Sequence, residues 1–286
     1  MACLEFTGTR LAESITLPFL QREINPLVRF ARHLKRSKAV KASLYIMSSK
    51  AGSFTPWHVD AAGEAHWLSV VSGVKWVYLL PPTKHNVEIW RSAETGTIRA
   101  DLIWLPDLCR TPVVKVELKE GEALLIPSGY LHAVFTVEDS LALAGAWISE
   151  FNMGCHMVLR GLEIVAKNRK DNGYPQFERQ CWLIARYYAK KWSAPDFRIE
   201  ITNPNSLRCA QHLYRQLDAL LIFISAQTTK INARKVGWRK SVASLPWGWR
   251  KRGMIYGVTN DLRTGLKKVD AMLLEMENLL FEKRRV

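Results

Sequence analysis

Residues 54–67 read Phe-Thr-Pro-Trp-His-Val-Asp-Ala-Ala-Gly-Glu-Ala-His-Trp. Within this apolar, aromatic stretch His58 and Asp60 stand two residues apart. On a β-strand, positions i and i+2 project from the same face, so the spacing sets an imidazole beside a carboxylate, with Val59 turned the other way. The pair is part of a metal site, or it is a strand-end histidine bonded to a nearby carbonyl. The rest of the chain has to decide.

Around this stretch, from Val40 to Ile148, short apolar or alternating runs are separated by turn residues: SLYIMSS, HWLSVVSG, KWVYLLPPT, VVKVELKEG, EALLIPSG, LHAVFTVED and LALAGAWIS. Many short strands punctuated by Gly, Pro and Asp predict an all-β sandwich or barrel. Strands do not alternate with helices and there is no Gly-rich phosphate loop, which argues against a nucleotide-binding α/β fold. Before this region, residues 1–40 read as a helical or irregular flank ending in the basic cluster Arg32–Lys38, a candidate nuclear-import patch. From about Met153 onward apolar residues recur at three and four, as in QFERQCWLIARYYAKKW and SLRCAQHLYRQLDALLIFISAQ, which predicts helices. The expected division is an N-terminal flank over 1–40, a β domain over 41–160 and a basic helical domain over 161–286.

Composition narrows the function classes. The net charge of +15 is concentrated in the second part: residues 1–160 hold 17 Lys/Arg and 15 Asp/Glu, and residues 161–286 hold 24 and 11. A basic appendage suggests an acidic partner such as nucleic acid, or simply a solvated helical face. No apolar run approaches the 20 or so residues of a membrane span. Residues 1–14 lack the basic-then-apolar pattern of a secretory signal. The five cysteines, Cys3, Cys109, Cys155, Cys181 and Cys209, are far apart and form no CxxC pair. That argues against a disulfide framework or a structural zinc module and for a reducing compartment, cytosol or nucleus.

Three further residues bear on His58 and Asp60. His132 lies in LLIPSGYLHAVF, just inside the strand that follows a Pro-Ser-Gly turn. Laid antiparallel beside the His58 strand, it completes two imidazoles and one carboxylate on one face with coordination positions left open, the facial triad of non-heme Fe(II) oxygenases. Lys75 follows in the apolar VVSGVKWVYLL. A lysine facing a core needs an anionic partner, for which the far carboxylate of 2-oxoglutarate would serve; the plainer alternative is a lysine reaching out to the barrel rim. Thr55 would offer a hydroxyl to the same carboxylate.

In the order Thr55, His58, Asp60, Lys75, His132 the chain resembles the JmjC-domain oxygenases, most closely the histone lysine demethylases that carry this domain beside F-box or PHD modules. The resemblance is carried by CLEFTGTRLAE, FTPWHVDAAGEAHWLSVVSGVKWVYLLPPTKHNVEIW, VELKEGEALLIPSGYLHAVFTVEDSLALAG and YPQFERQCWLIARYY, and it covers about residues 3–192. It implies a mainly β fold, a double-stranded β-helix (the jelly-roll, cupin-like JmjC barrel), with an N-terminal helical flank and a C-terminal α-helical domain. It implies His58, Asp60 and His132 as Fe(II) ligands, and Thr55 and Lys75 as the holders of 2-oxoglutarate. The implied activity is a dioxygenase reaction. 2-Oxoglutarate and dioxygen are consumed, an N-methyl group of a methyl-lysine on histone H3 is hydroxylated, and formaldehyde leaves. The implied partner is a methylated histone tail and the implied compartment the nucleus.

The chain departs from this family around the pocket. Asp60-Ala61-Ala62-Gly63-Glu64 replaces the usual Asp-Phe-Gly-Gly-Thr, Trp67-Leu68 replaces Trp-Tyr, and Ala144-Gly145-Ala146-Trp147 replaces Gly-Gly-Asn-Phe. Leu68 and Ala146 each remove a polar group, and an unpaired partner left behind costs on the order of 1–3 kcal/mol. Two other activities are therefore carried alongside demethylation: hydroxylation of another protein or of RNA, and a catalytically weakened chromatin-binding scaffold. Lys230–Arg252 (KINARKVGWRKSVASLPWGWRKR) holds eight Lys/Arg, no acid and three tryptophans. It would contact nucleosomal DNA, or else pack as a loop between two helices.

Overall fold

The structure, a computed structural model, describes residues 2–25, 43–99, 103–166, 177–233 and 252–282. These fall into two compact units. One holds residues 2–25, 43–99, 103–149 and 158–166, the other residues 150–157, 177–233 and 252–282.

The first unit is built from nine strands: β1 (Ala2–Glu5), β2 (Ser43–Ser49), β3 (Phe54–His58), β4 (Ala65–Ser72), β5 (Lys75–Leu80), β6 (Val114–Leu118), β7 (Ala123–Ile126), β8 (Leu131–Thr136) and β9 (Ser140–Trp147). Two short helices, α1 (Arg10–Ser14) and α2 (Phe19–Ile24), follow β1, and α3 (Lys84–Glu94) follows β5. The strands form two sheets, in the orders β1-β2-β9-β4-β7 and β3-β8-β5-β6. Every strand pairing is antiparallel. This is the mainly β, jelly-roll architecture expected from the short, evenly spaced strand runs.

Alternation explains why these runs form strands. In β5 Val77 and Leu79 are buried, and the aromatic rings of Trp76 and Tyr78 belong to the other face. Val77 and Leu79 join Leu68, Val70, Leu118, Ile126, Ala142 and Ala144 in one apolar core to which both sheets contribute. Each fully buried aliphatic side chain of this kind is worth about 1.5–3 kcal/mol relative to exposure. A second cluster, Phe6, Leu44, Ala65, Trp67 and Trp147, uses the opposite face of the larger sheet, with Ala12 and Ile15 of the flank packed against it. The Trp67 indole Nε1–H donates to Gln21 Oε1 at 2.7 Å, which fixes which face of β4 turns inward. The sequence did not show β1. Its four residues are exposed and carry no alternation, and their strand conformation comes from pairing with β2.

The second unit is helical, as expected. α4 (Met153–Ala166) begins in it; α5 (Phe177–Trp192), α6 (Pro204–Ala233) and α7 (Arg252–Glu282) complete it. Phe177, Cys181, Ile184, Tyr188 and Trp192 lie buried along α5 at helical spacing, as do Leu217, Leu220 and Ile224 along α6 and Leu262, Leu266, Val269 and Leu273 along α7. α5 and α7 approach closely where Gly265 meets the Trp192 side chain. No helix among the described residues is long and apolar enough to cross a membrane. The five cysteines are not joined by disulfides. The basic cluster Arg32–Lys38 and most of the segment Lys230–Arg252 lie outside the described residues.

Gly145 pairs in register with Trp67 across β9 and β4. A Cβ added there would stand 2.5 Å from the indole Nε1, and the bond to Gln21 leaves that ring no free direction. Gly145→Ala is expected to lower stability by about 1–3 kcal/mol through overpacking. A thermal unfolding curve checks this, and an unchanged midpoint would show that the indole shifts without cost.

Candidate metal centre

The residues that matter are delivered by one strand pairing and one turn. His58 closes β3 and stands directly opposite His132 on β8. Their ring centroids are 4.1 Å apart. Each imidazole is tethered through Nδ1 to a backbone carbonyl two residues earlier, His58 to Pro56 O at 2.8 Å and His132 to Tyr130 O at 3.2 Å. A carbonyl only accepts, so both Nδ1 atoms carry hydrogen and both Nε2 atoms present a lone pair. Those lone pairs face one carboxylate: His58 Nε2 lies 3.6 Å from Asp60 Oδ1, and His132 Nε2 lies 3.7 Å from Asp60 Oδ2. Donor atoms of the three residues all lie within 4.8 Å of one another.

Asp60 reaches this position differently from the sequence-based expectation. β3 stops at His58, and Asp60 lies just past it, capping a short 3-10 turn over Ala61–Gly63. The turn is pinned on three sides. Gly63 N–H donates to Asp60 O at 2.8 Å, Gly129 N–H donates to Gly63 O at 3.1 Å, and Ala62 N–H donates to Glu163 Oε1 at 2.6 Å. Ala62 and Gly63 both take positive φ, 54° and 63°. Glycine accepts that freely; the alanine is held there by the Glu163 carboxylate. A register shift between Thr55 and His58 also matters. Three residues apart, they would face opposite sides of a regular strand, yet both line the same cavity.

That cavity, about 230 Å³, is lined by all five residues singled out in the sequence, Thr55, His58, Asp60, Lys75 and His132, and by both departures, Leu68 and Ala146. Lys75 opens β5 opposite Thr136, four residues along β8 from His132. It is buried, with Nζ donating to Ser49 Oγ at 3.2 Å and Thr136 Oγ1 at 3.1 Å. No carboxylate of the described residues pairs with it, and burial pushes its ammonium pKa down. An ammonium with only hydroxyl partners suits an incoming carboxylate.

Two cavity residues escaped the sequence reading. His66 of β4 places Nδ1 2.5 Å from Asp60 Oδ2, and its ring lies 4.9 Å from that of His132. Glu64 lines the same wall, its carboxyl pushed well above the usual range, first by burial and then by the charges of Asp60 and Glu163. The signal was present: Glu64 and His66 share the period-two face that carries Leu68.

The electrostatics suit a cation. Burial alone would raise the Asp60 pKa, but the His66 and His132 imidazoles outweigh it and hold the carboxyl below its usual range. Burial pushes His132 down to about 3, so its imidazole stays neutral near pH 7. Two imidazoles presenting Nε2 and a carboxylate on one side, with open positions on the other, are a donor set for Fe(II) or a similar divalent ion. The same shift has a consequence for stability. His132 binds its proton far more weakly folded than unfolded, so acid favours the unfolded chain. The metal-free protein is expected to lose thermal stability as pH falls from about 6.5 towards 3, and His132→Gln to flatten that slope. Equal slopes in melting curves recorded across this range would contradict it.

Residues 14–153 match the Cupin-like domain family. The JmjC domain-containing histone demethylation protein 1 of Cryptococcus neoformans is 33% identical over 148 residues, 52% of this chain and 17% of that protein. The protein of the same name in Debaryomyces hansenii is 33% identical over 164 residues, 54% of this chain and 31% of that protein. Lysine-specific demethylase 2A of Xenopus tropicalis is 28% identical over 197 residues, 65% of this chain and 17% of that protein. The chain therefore spans less than a third of the length of these relatives. Among solved structures, an oxalate decarboxylase of Bacillus subtilis matches at 16% identity over 38% of this chain and 21% of that one, with a TM-score of 0.26, too low to bear on the argument. The resemblance to JmjC-domain proteins read from the motifs is borne out by these relatives.

Proposed function

We propose that this JmjC-type cupin chain is an Fe(II)- and 2-oxoglutarate-dependent dioxygenase that demethylates methyl-lysine in a histone H3 tail and works in the nucleus. One observation carries the reading. A single cavity holds two backbone-tethered imidazoles facing a carboxylate and, on β5 opposite the β8 residue four places on from His132, a buried ammonium with no carboxylate partner among the described residues. The similarity to named histone demethylation proteins supports the substrate class.

In this reading His58, Asp60 and His132 hold Fe(II), and Lys75 with Thr55 holds the far carboxylate of 2-oxoglutarate. Fe(II) bound there would let dioxygen act as the oxidant, one oxygen atom going to 2-oxoglutarate as it is oxidised to succinate and CO2 and the other to the N-methyl group. The chain's own residues prepare that chemistry. The Nδ1–H bonds to Pro56 and Tyr130 aim both rings with Nε2 toward Asp60, and burial keeps His132 neutral, so His132 need not shed a proton on binding metal. Apolar walls from Leu68, Ile126, Val134 and Ala144 lower the polarity around buried Lys75 and strengthen its pull on an anion. The basic residues of Lys230–Arg252 match the charge of nucleosomal DNA.

Leu68 and Ala146 give one other reading a specific foothold, a chromatin-binding scaffold in which the pocket is weakened. The deciding assay supplies Fe(II), 2-oxoglutarate and methylated H3 peptides and follows succinate and formaldehyde together. Both products are expected, and both are expected to vanish in His58→Ala. Succinate without formaldehyde would move the reading to a hydroxylase of another substrate, and no succinate from metal-loaded protein would favour the scaffold. Lys75→Ala is expected to raise the KM for 2-oxoglutarate about 10- to 100-fold, the equivalent of losing a charge-assisted bond of about 1.5–3 kcal/mol. An unchanged KM would remove Lys75 from the cosubstrate site.

A further inference from the structure

His66 is placed by its neighbours with little freedom. In β4 the next residue, Trp67, is buried on the opposite face and bonded to Gln21 at 2.7 Å, so the rotation of the strand is set and the imidazole points into the cavity. In register beside it on β9 stands Ala146, a methyl group where a larger side chain would fill the space the ring needs. The ring brings Nδ1 to 2.5 Å from Asp60 Oδ2 as an ion-pair contact, and this buried nitrogen has no hydrogen-bond partner of regular geometry elsewhere. A carboxylate is acceptor-only, so a nitrogen this close is attracted only if it carries the hydrogen. The other carboxylate oxygen, Oδ1, is the one nearer His58 Nε2, at 3.6 Å, while His132 Nε2 lies 3.7 Å from Oδ2, the oxygen His66 already occupies.

We infer that His66 is a positioning residue for Asp60: it holds Oδ2 and leaves Oδ1 as the oxygen that a divalent ion would take. Asp60 lies beyond the end of β3, where no strand pairing orients its side chain. The turn fixes its backbone, and His66 fixes its carboxylate. His66 is not a fourth ligand, because the donor atoms that gather within 4.8 Å of one another belong to His58, Asp60 and His132. Partners of metal-ligating groups set ligand orientation and commonly carry 10- to 100-fold in affinity. The inference rests on the metal site of the proposed oxygenase, but on neither its cosubstrate nor its substrate.

The test is a Co(II) titration of the full chain, followed by the visible absorption of the bound ion, with the melting curve of the metal-free protein as the check on folding. Wild type is expected to bind one ion. His66→Leu, which removes the donor, is expected to bind it about 10- to 100-fold more weakly. His66→Asn, which keeps a side-chain N–H, is expected to recover a large part of that loss. If His66→Leu does not fold, His66→Ala takes its place. Equal affinity in wild type and a folded donor-less variant would overturn the inference and leave the oxygenase reading standing. Equal weakening by Leu and Asn would assign the effect to ring volume and overturn it as well. If wild type binds no ion, the oxygenase reading fails and the role of His66 fails with it.

Discussion

The site depends on the register of β8. One face of this strand carries His132, Val134 and Thr136: the first two line the cavity, at its histidine end and its wall, and Thr136 accepts from Lys75 at the lysine end. On β3, His58 and Thr55 are aligned with His132 and Val134; on β5, Lys75 is aligned with Thr136. A slip of one residue would turn every one of these β8 side chains to the opposite face. What prevents the slip is apolar: Leu131 and Ala133, on the alternate positions, are completely buried. The same burial that stabilises the sheet therefore holds the polar set in place, and no separate device is needed to align the two ends of the cavity.

Much of this was legible in the sequence, for a physical reason. Antiparallel strands with one face in a core declare themselves by alternation, and LHAVFT and KWVYLL do so clearly. The pairing of the His58 and His132 strands followed from the chemistry of the two residues and was found in register. Irregular backbone was not legible. The shift between Thr55 and His58, the end of β3 before Asp60 and the positive φ of Ala62 are set by partners far along the chain, such as Glu163, and no local pattern records them. β1 was missed because an exposed edge strand need not alternate. His66 and Glu64 carry no motif spacing; their place beside Asp60 follows from the period-two face of Leu68 and from the turn that brings Asp60 to it.

Those two residues change how the departures at Leu68 and Ala146 should be weighed. Seen as deletions, they leave a poorer pocket. In the folded wall, Ala146 stands in register beside His66, so a small residue on β9 accompanies a large polar one on β4. The polar atoms of this wall lie beside the histidine–carboxylate cluster, where one of them touches Asp60. Such a pocket differs from a decayed one, because decay removes polar atoms without placing new ones in contact with that cluster.

The distribution of buried charge leads to the same view. Asp60 and Glu64 lie near one another on one wall of the cavity, while Lys75 has hydroxyl partners and no acid. Among the described residues neither Glu64 nor Lys75 forms an ion pair, although both line one cavity. A fold selected for stability alone would replace them with apolar groups, since a buried carboxyl and a buried ammonium without charged partners both cost free energy. Keeping them apart leaves a site negative at one place and positive at another. Its complement is a cation among the carboxylates and histidines, together with an anion at the lysine. Ligands of that kind would bind the folded chain in preference to the unfolded one and return by mass action part of the stability the separated charges cost.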